Sequence, residues 1–214
     1  MSGTDVQQLY DSARTDLRLL RHLVNGAAKQ DIGAFENHPL GFIHIDLTDV
    51  TADSSLALHV WSGTTFTAVH DHFFDLTSCV LTGCIEDVWC EALEDLSGRY
   101  VRFSVEYDWR KAERRFRPAP PNVSYTIRES TRTERVQEEY RIPKRQLHKS
   151  RRLGAVSGCA MTLMMRANSG PTSERISYTL SADLKFEARV AERAMSDTGR
   201  RRVLSFIHAQ LDAI

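Results

Sequence analysis

The chain lacks an excess of charge of either sign. In 214 residues, 28 Lys and Arg stand against 28 Asp and Glu. That balance supplies no long-range field toward nucleic acid or an acidic membrane surface. No apolar run approaches the roughly 20 residues that a membrane-spanning helix needs. The N-terminus has no apolar core of an export signal, because Asp5, Asp11, Arg14, Asp16 and Arg18 interrupt it. Cysteine is scarce, with only Cys79, Cys84, Cys90 and Cys159. None stands in a Cys-x-x-Cys pair, so a disulfide scaffold and the common zinc-finger spacings are excluded. Reduced, buried thiols in a cytoplasmic protein are the expectation. Internal repeats are absent.

What is there is a succession of short alternating segments. Hydrophobic residues make up 42% of the chain, enough for a core. The length fits one compact domain over residues 1–214. Leu9, Ala13, Leu17, Leu20 and Val24 recur at helical spacing, which predicts a helix over about residues 5–25, stopped by Asn25 and Gly26. Period-two alternation predicts strands over residues 40–48, 56–61, 66–72, 76–81, 85–92, 99–109, 124–129, 135–142, 147–149 and 158–166. Residues 110–122, with Pro118, Pro120 and Pro121, read as a surface loop. A helical segment over about 184–212 closes the chain, broken at Asp197, Thr198 and Gly199 and resuming on Val203, Phe206, Ile207 and Leu211. About ten strands with helices at both ends is the pattern of an all-β barrel or sandwich.

One stretch carries chemistry. Residues 70–83 read His-Asp-His-Phe-Phe-Asp-Leu-Thr-Ser-Cys-Val-Leu-Thr-Gly. Two histidines one residue apart on a strand share a face. Imidazole is the commonest side-chain metal ligand near neutral pH, so the pair is half of a metal site or two ordinary strand histidines. The surroundings resemble the first motif of the cupin superfamily. Gly63 leads, residues 64–69 are extended, His70 and His72 follow, and an apolar strand ends in Val80-Leu81-Thr82-Gly83. The family's Glu falls at Leu76, and Asp75 is one residue out of phase, so only a bulge would turn it inward. Pro143-Lys144-Arg145-Gln146-Leu147-His148 is similar to the second motif, with Arg145 in place of its Gly, and Arg152 stands where the family often has Asn. The resemblance covers about residues 40–167. It implies an antiparallel β-barrel of the jelly-roll type with N- and C-terminal helices, and a metal on His70, His72 and His148.

Three neutral imidazoles leave coordination positions open, which a catalytic metal needs and a structural one does not. With Leu76 in place of the carboxylate, the ion keeps more of its positive charge. That arrangement resembles the three-histidine thiol dioxygenases, which implies Fe(II), although such sites also take Zn, Ni, Mn or Cu. Cys79 comes too late, and out of phase, for the cysteine–tyrosine cross-link of cysteine dioxygenases. Phase makes Gln146 and Ser78 candidates to contact substrate or a metal-bound water, and His59 a substitute ligand, a proton shuttle or an ordinary core histidine. Arg128, Arg141 and Arg145 are candidate carboxylate clamps. Trp61, Phe66, Phe73 and Phe74 are candidate pocket walls. The function implied is a mononuclear non-haem iron oxygenase, a dioxygenase acting on a small organic molecule. The alternatives are a redox-neutral metal cupin, isomerase or hydrolase, and a non-enzymatic small-molecule-binding cupin. The expected partner is a small-molecule substrate, with neither nucleic acid nor membrane. The family's habit of forming a homodimer makes the N-terminal helix a candidate contact.

Overall fold

A computed structural model describes residues 3–29, 35–38, 40–48, 53–108, 113–119, 123–154, 158–168, 170, 176–182, 190–191 and 193–214. Two helices open it, α1 Gly3–Ala13 and α2 Leu17–Lys29. The single helix expected over 5–25 is broken because Asp16 caps a new one. Its Oδ1 accepts from the backbone N–H of Arg18 at 2.9 Å and of Leu19 at 3.4 Å. Such a cap stabilises a helix start by about 1 kcal/mol. Asn25 and Gly26 do not stop α2, since buried Val24 and Ala27 on either side hold it to the core.

Fifteen strands follow among the described residues. They are β1 Phe35–His38, β2 Phe42–Asp46, β3 Ser55–Trp61, β4 Val69–His70, β5 Asp75–Thr82, β6 Cys84–Glu94, β7 Tyr100–Asp108 and β8 Glu113–Pro118. Next come β9 Ser124–Arg135, β10 Glu139–Ile142, β11 Leu147–Arg152, β12 Ala160–Ala167, β13 Ser177–Ser181, β14 Val190–Ala191 and β15 Arg193–Ala194, before α3 Asp197–Asp212. They form two antiparallel sheets, in the orders β10-β5-β12-β3-β2-β1-β15 and β13-β4-β11-β6-β9-β7-β8-β14. β13 also pairs with β7, so the second sheet curls back on itself. This is the all-β jelly-roll architecture that the resemblance implies.

Alternation explains the layers. β3 is buried along its whole length because both its faces are covered. Leu56, Leu58 and Val60 join Leu163, Met161 and Met165 of β12 against Val6, Tyr10, Leu20, Val24 and Ile207 of the helices. Ala57 and Trp61 point the other way, into a second apolar cluster with Phe42, Leu76, Tyr140 and Met164. The helices therefore back the first sheet, and its other face looks toward the second sheet across a cavity of about 630 Å³.

Several expectations are corrected. The strand expected over 66–72 shrinks to β4, since Thr67 bonds across to the Ser150 carbonyl and Asp71 to that of Tyr178. β8 occupies part of the stretch expected as a loop, paired from Glu113 opposite Asp108 to Pro118 opposite Phe103. Pro118 is tolerated because it ends the strand. β9 runs on to Arg135 along β6, through a polar, exposed stretch that carries no alternation. β13 has no counterpart among the expected strands. The helix expected within 184–195 lies partly outside the described residues, and β14 and β15 occupy its end as strands. Asp197, Thr198 and Gly199 begin α3 rather than break it, because the Ser196 hydroxyl accepts from the Gly199 N–H. On α3, Ile207 and Leu211 are buried but Phe206 faces solvent. Among the described residues, no helix is long and apolar enough to cross a membrane.

Candidate metal centre

The antiparallel pairing of β4 with β11 sets His70 directly opposite His148. His72 follows two residues later, on the same side. Donor atoms of the three imidazoles lie within 4.8 Å of one another, the one such group of three or more potential ligands among the described residues. His72 Nε2 and His148 Nε2 are 3.0 Å apart. Two nitrogens each about 2.1 Å from one ion, at right angles, stand about 3.0 Å apart. That pair is already at the separation of neighbouring ligands.

The second ring nitrogen is held in His148 and in His70. His148 Nδ1 meets Asp87 Oδ1 at 2.8 Å, and the Ser150 hydroxyl donates to the same oxygen at 2.7 Å. Burial works against ionising Asp87, yet those hydrogen bonds and the nearby imidazole charge keep its carboxyl below the usual range. His70 Nδ1 meets the Ala68 carbonyl at 2.8 Å. Each partner takes an Nδ1–H and leaves an Nε2 lone pair toward the cluster, the outer support that metal-binding histidines have. The donor set therefore fits a divalent first-row ion.

Leu76 lines the cavity and is buried. Asp75 points away from it. Its two oxygens accept from the Asn168 side-chain amide and the Lys144 N–H, both at 2.8 Å, which together hold its carboxyl below the usual range. The register of β5 against β12 is regular at this point, with Leu76 opposite Arg166 and Ala167 opposite Asp75, so no bulge turns it inward. Asp75→Asn is accordingly expected to keep its metal, without the about 10- to 100-fold loss that removal of an outer-shell partner brings. Metal analysis of the purified variant checks this, and a large loss would put Asp75 in the coordination sphere.

The remaining candidates fall out unequally. Ser78 lines the cavity, though its hydroxyl sits 3.4 Å from the Leu163 carbonyl. His59 lines it too, bonded to His44. Gln146 does not reach it. It lies before β11 in a turn with Arg145 at φ 69°, which breaks the phase with His148, and its amide donates to the carbonyls of Leu147 (2.9 Å) and Cys90 (3.3 Å). Arg128 and Arg141 pair with Glu91 and Glu139 on the exterior. Arg145 lies over the Tyr178 ring and 3.7 Å from Asp71. Asp71 lies just after β4. It is buried in the cavity wall, accepts from the Tyr178 N–H, and burial pushes its carboxyl up to about 6. Trp61, Phe66, Phe73 and Phe74 all line the cavity, and Phe74 stacks on His72 at 4.7 Å. Cys79 faces the helices, opposite in phase to Leu76 and Ser78.

Sequence reasoning missed Asp87, His44, Asp46 and Arg166. The signal for the last three is a polar side chain at a period-two position inside an apolar strand. Arg166 lies in the cavity wall with its guanidinium 5.5 Å from the Phe74 ring centre.

No protein-family model matches the chain, and no curated protein matches it. Among solved structures it is similar to recombinant oxalate oxidase in complex with glycolate, at 15% identity over 63% of this chain and 54% of that one, with a TM-score of 0.36. It is similar to a cupin domain from Schizosaccharomyces pombe, at 9% identity over 66% of each chain and a TM-score of 0.39. It is also similar to the polyketide cyclase RemF from Streptomyces resistomycificus, at 16% identity over 64% of this chain and 73% of that one, with a TM-score of 0.37. The chain spans about half the length of the oxalate oxidase chain it matches.

Proposed function

We propose that this protein is a mononuclear non-haem metal enzyme that holds iron(II) on His70, His72 and His148 and oxygenates a small organic molecule. The observation that carries this reading is a donor set of three imidazoles, with apolar Leu76 where a carboxylate would complete it. Iron bound there would supply one-electron chemistry with O₂ and open positions for ligands.

The chain's own residues do the rest. Asp87 and the Ala68 carbonyl orient two of the imidazoles. Phe66, Phe73, Phe74 and Trp61 give the cavity apolar walls that exclude water, and its volume of about 630 Å³ suits a small ligand. Arg166 offers a fixed positive charge to an anionic substituent on that ligand. A redox-neutral reading, with the metal as Lewis acid in an isomerisation or hydrolysis, is favoured by one feature, the paired imidazoles of His44 and His59 in the same cavity.

An oxygen electrode separates the two. Protein loaded anaerobically with iron is offered thiols, β-diketones, catechols and amino acids. O₂ uptake with one of these, needing neither external reductant nor an oxo-acid co-substrate, is the expected result. Substrate conversion at full rate under strict anaerobiosis would overturn the oxygenase and leave the redox-neutral reading.

A further inference from the structure

On the first sheet, His44 of β2 lies opposite His59 of β3, and Asp46 follows two residues along on the same face. All three line the cavity. His44 Nε2 is 2.8 Å from Asp46 Oδ1, and His44 Nδ1 is 2.9 Å from His59 Nε2. With Asp46 ionised and both imidazoles neutral, only one set of tautomers makes both bonds. His44 carries its proton on Nε2 and gives it to Asp46. Its Nδ1 then accepts from His59 Nε2–H, and the lone pair of His59 is on Nδ1.

We propose that His59 is a general base of this cavity, with His44 and Asp46 as the relay behind it, and that it takes a proton from a small, largely apolar carbon acid. The geometry gives the proton somewhere to go. As the substrate C–H bond breaks, its proton moves to His59 Nδ1 and its electron pair stays on the substrate. The Nε2 proton of His59 moves to His44 Nδ1, and the imidazolium so formed lies against the Asp46 carboxylate. His59 ends neutral, and the positive charge ends on His44, hydrogen-bonded directly to a carboxylate, instead of in the apolar wall.

The surroundings agree. His59 packs on Phe42 at 4.5 Å and against the edge of Trp61 at 6.1 Å. Burial first, and the neighbouring His44 second, hold it well below the ordinary imidazole range. The other charged and titratable groups along this wall, among the described residues, are Glu36 and His38 of β1, Arg166 of β12 and Tyr140 of β10; Asp71, His70, His72 and His148 also line the cavity. A histidine there merely to fill space would need no second imidazole aligned with a carboxylate. The relay is carried by β2 and β3 of the first sheet, whereas His70 and His148 are on the second, so the proton path runs through none of the three candidate ligands.

A nitro-substituted benzisoxazole tests this. Removal of its ring C–H proton opens the N–O bond, forms a nitrile and releases a coloured phenolate, with no oxidant and no metal required. The protein as purified is expected to speed this elimination at least about 100-fold over free imidazole at equal concentration, the low end for a positioned base. Treatment with chelator is expected to leave the rate within a factor of about two. His59→Ala is expected to lose at least about 10-fold, with partial rescue by added imidazole. Asp46→Asn, at a partly exposed position, is expected to slow the reaction and move the midpoint of its pH profile toward acid by about one unit, because the imidazolium loses its stabilising charge. A space-filling role would not move that midpoint. Three results would each overturn the relay: no acceleration over imidazole, a rate that disappears with chelation, or an unshifted profile in Asp46→Asn. The last decides the matter even if His59→Ala fails to fold.

Discussion

His148→Ala is expected to lower metal content by more than about 10-fold when the protein is purified without chelator or affinity metal. Three consequences of the substitution act together. One of three donors is lost, and it is the one whose Nε2 already stands 3.0 Å from that of His72. The two that remain sit on β4, a strand of two residues, and the segment after it, so their mutual position depends on the pairing with β11. Asp87, buried behind His148, loses the imidazole it accepts from. Leaving a buried carboxylate without its partner costs on the order of 3–5 kcal/mol, so the variant is expected to melt earlier as well. Asp87→Asn separates these effects. It keeps all three imidazoles and removes the charge that holds His148 in one tautomer, and about 10- to 100-fold weaker metal binding is expected. Metal analysis alongside a thermal melt distinguishes lost ligation from lost fold. Unchanged occupancy in folded His148→Ala would remove that residue from the site and leave the metal reading without its third ligand.

Gly83→Ala is expected to destabilise the fold by about 3 kcal/mol or more, from left-handed backbone strain and overpacking together. Gly83 joins β5 to β6 with φ at +77°. A Cβ placed there would lie 2.5 Å from the Cys159 carbonyl oxygen and 2.8 Å from both Cα and Cβ of Ala160. Backbone on the neighbouring strand cannot step aside as a flexible side chain would. For a chain of this size that loss lowers the melting temperature by roughly 6–12 °C. Gly26→Ala is the contrast. Gly26 lies within α2, nothing stands within 4 Å of its would-be Cβ, and stability is expected to rise by about 0.5–1 kcal/mol. Equal melting temperatures for Gly83→Ala and the unaltered protein would mean that β12 can shift, and that the hairpin is not pinned against it.

The two variants probe different kinds of information. The turn at Gly83 was legible in the chain, since Thr82 and Gly83 separate a pair of alternating apolar runs. The same holds for β3, β5, β6, β7 and β12, where period-two alternation is strong. β8, β13 and the far half of β9 were not legible. β9 from Arg128 onward is polar on both faces, and its place is set by the partner strand β6. The break at Asp16 was also missed, because a helical stripe runs through it and the cap is visible only in the hydrogen bonds. At the site, the spacing of His70 and His72 placed them on one face, and the pattern from Pro143 to His148 pointed to a third imidazole. Gln146 shows where such reasoning fails: phase counting assumes an unbroken strand, and the positive φ at Arg145 ends it.

By itself, the sequence determined what is periodic and what is local: an all-β chain with helices at its ends, a histidine pair on one strand face, and Leu76 where a carboxylate would stand. The tertiary structure alone decided which distant groups meet. It set His148 opposite His70, put Asp87 behind His148, lined up Asp46, His44 and His59, and brought Arg166 beside Leu76. The physical reason is that alternation tells which face a side chain takes, whereas its neighbour across the sheet depends on strand order and register. Those are settled by burial of the whole chain, through pairings between residues far apart in sequence.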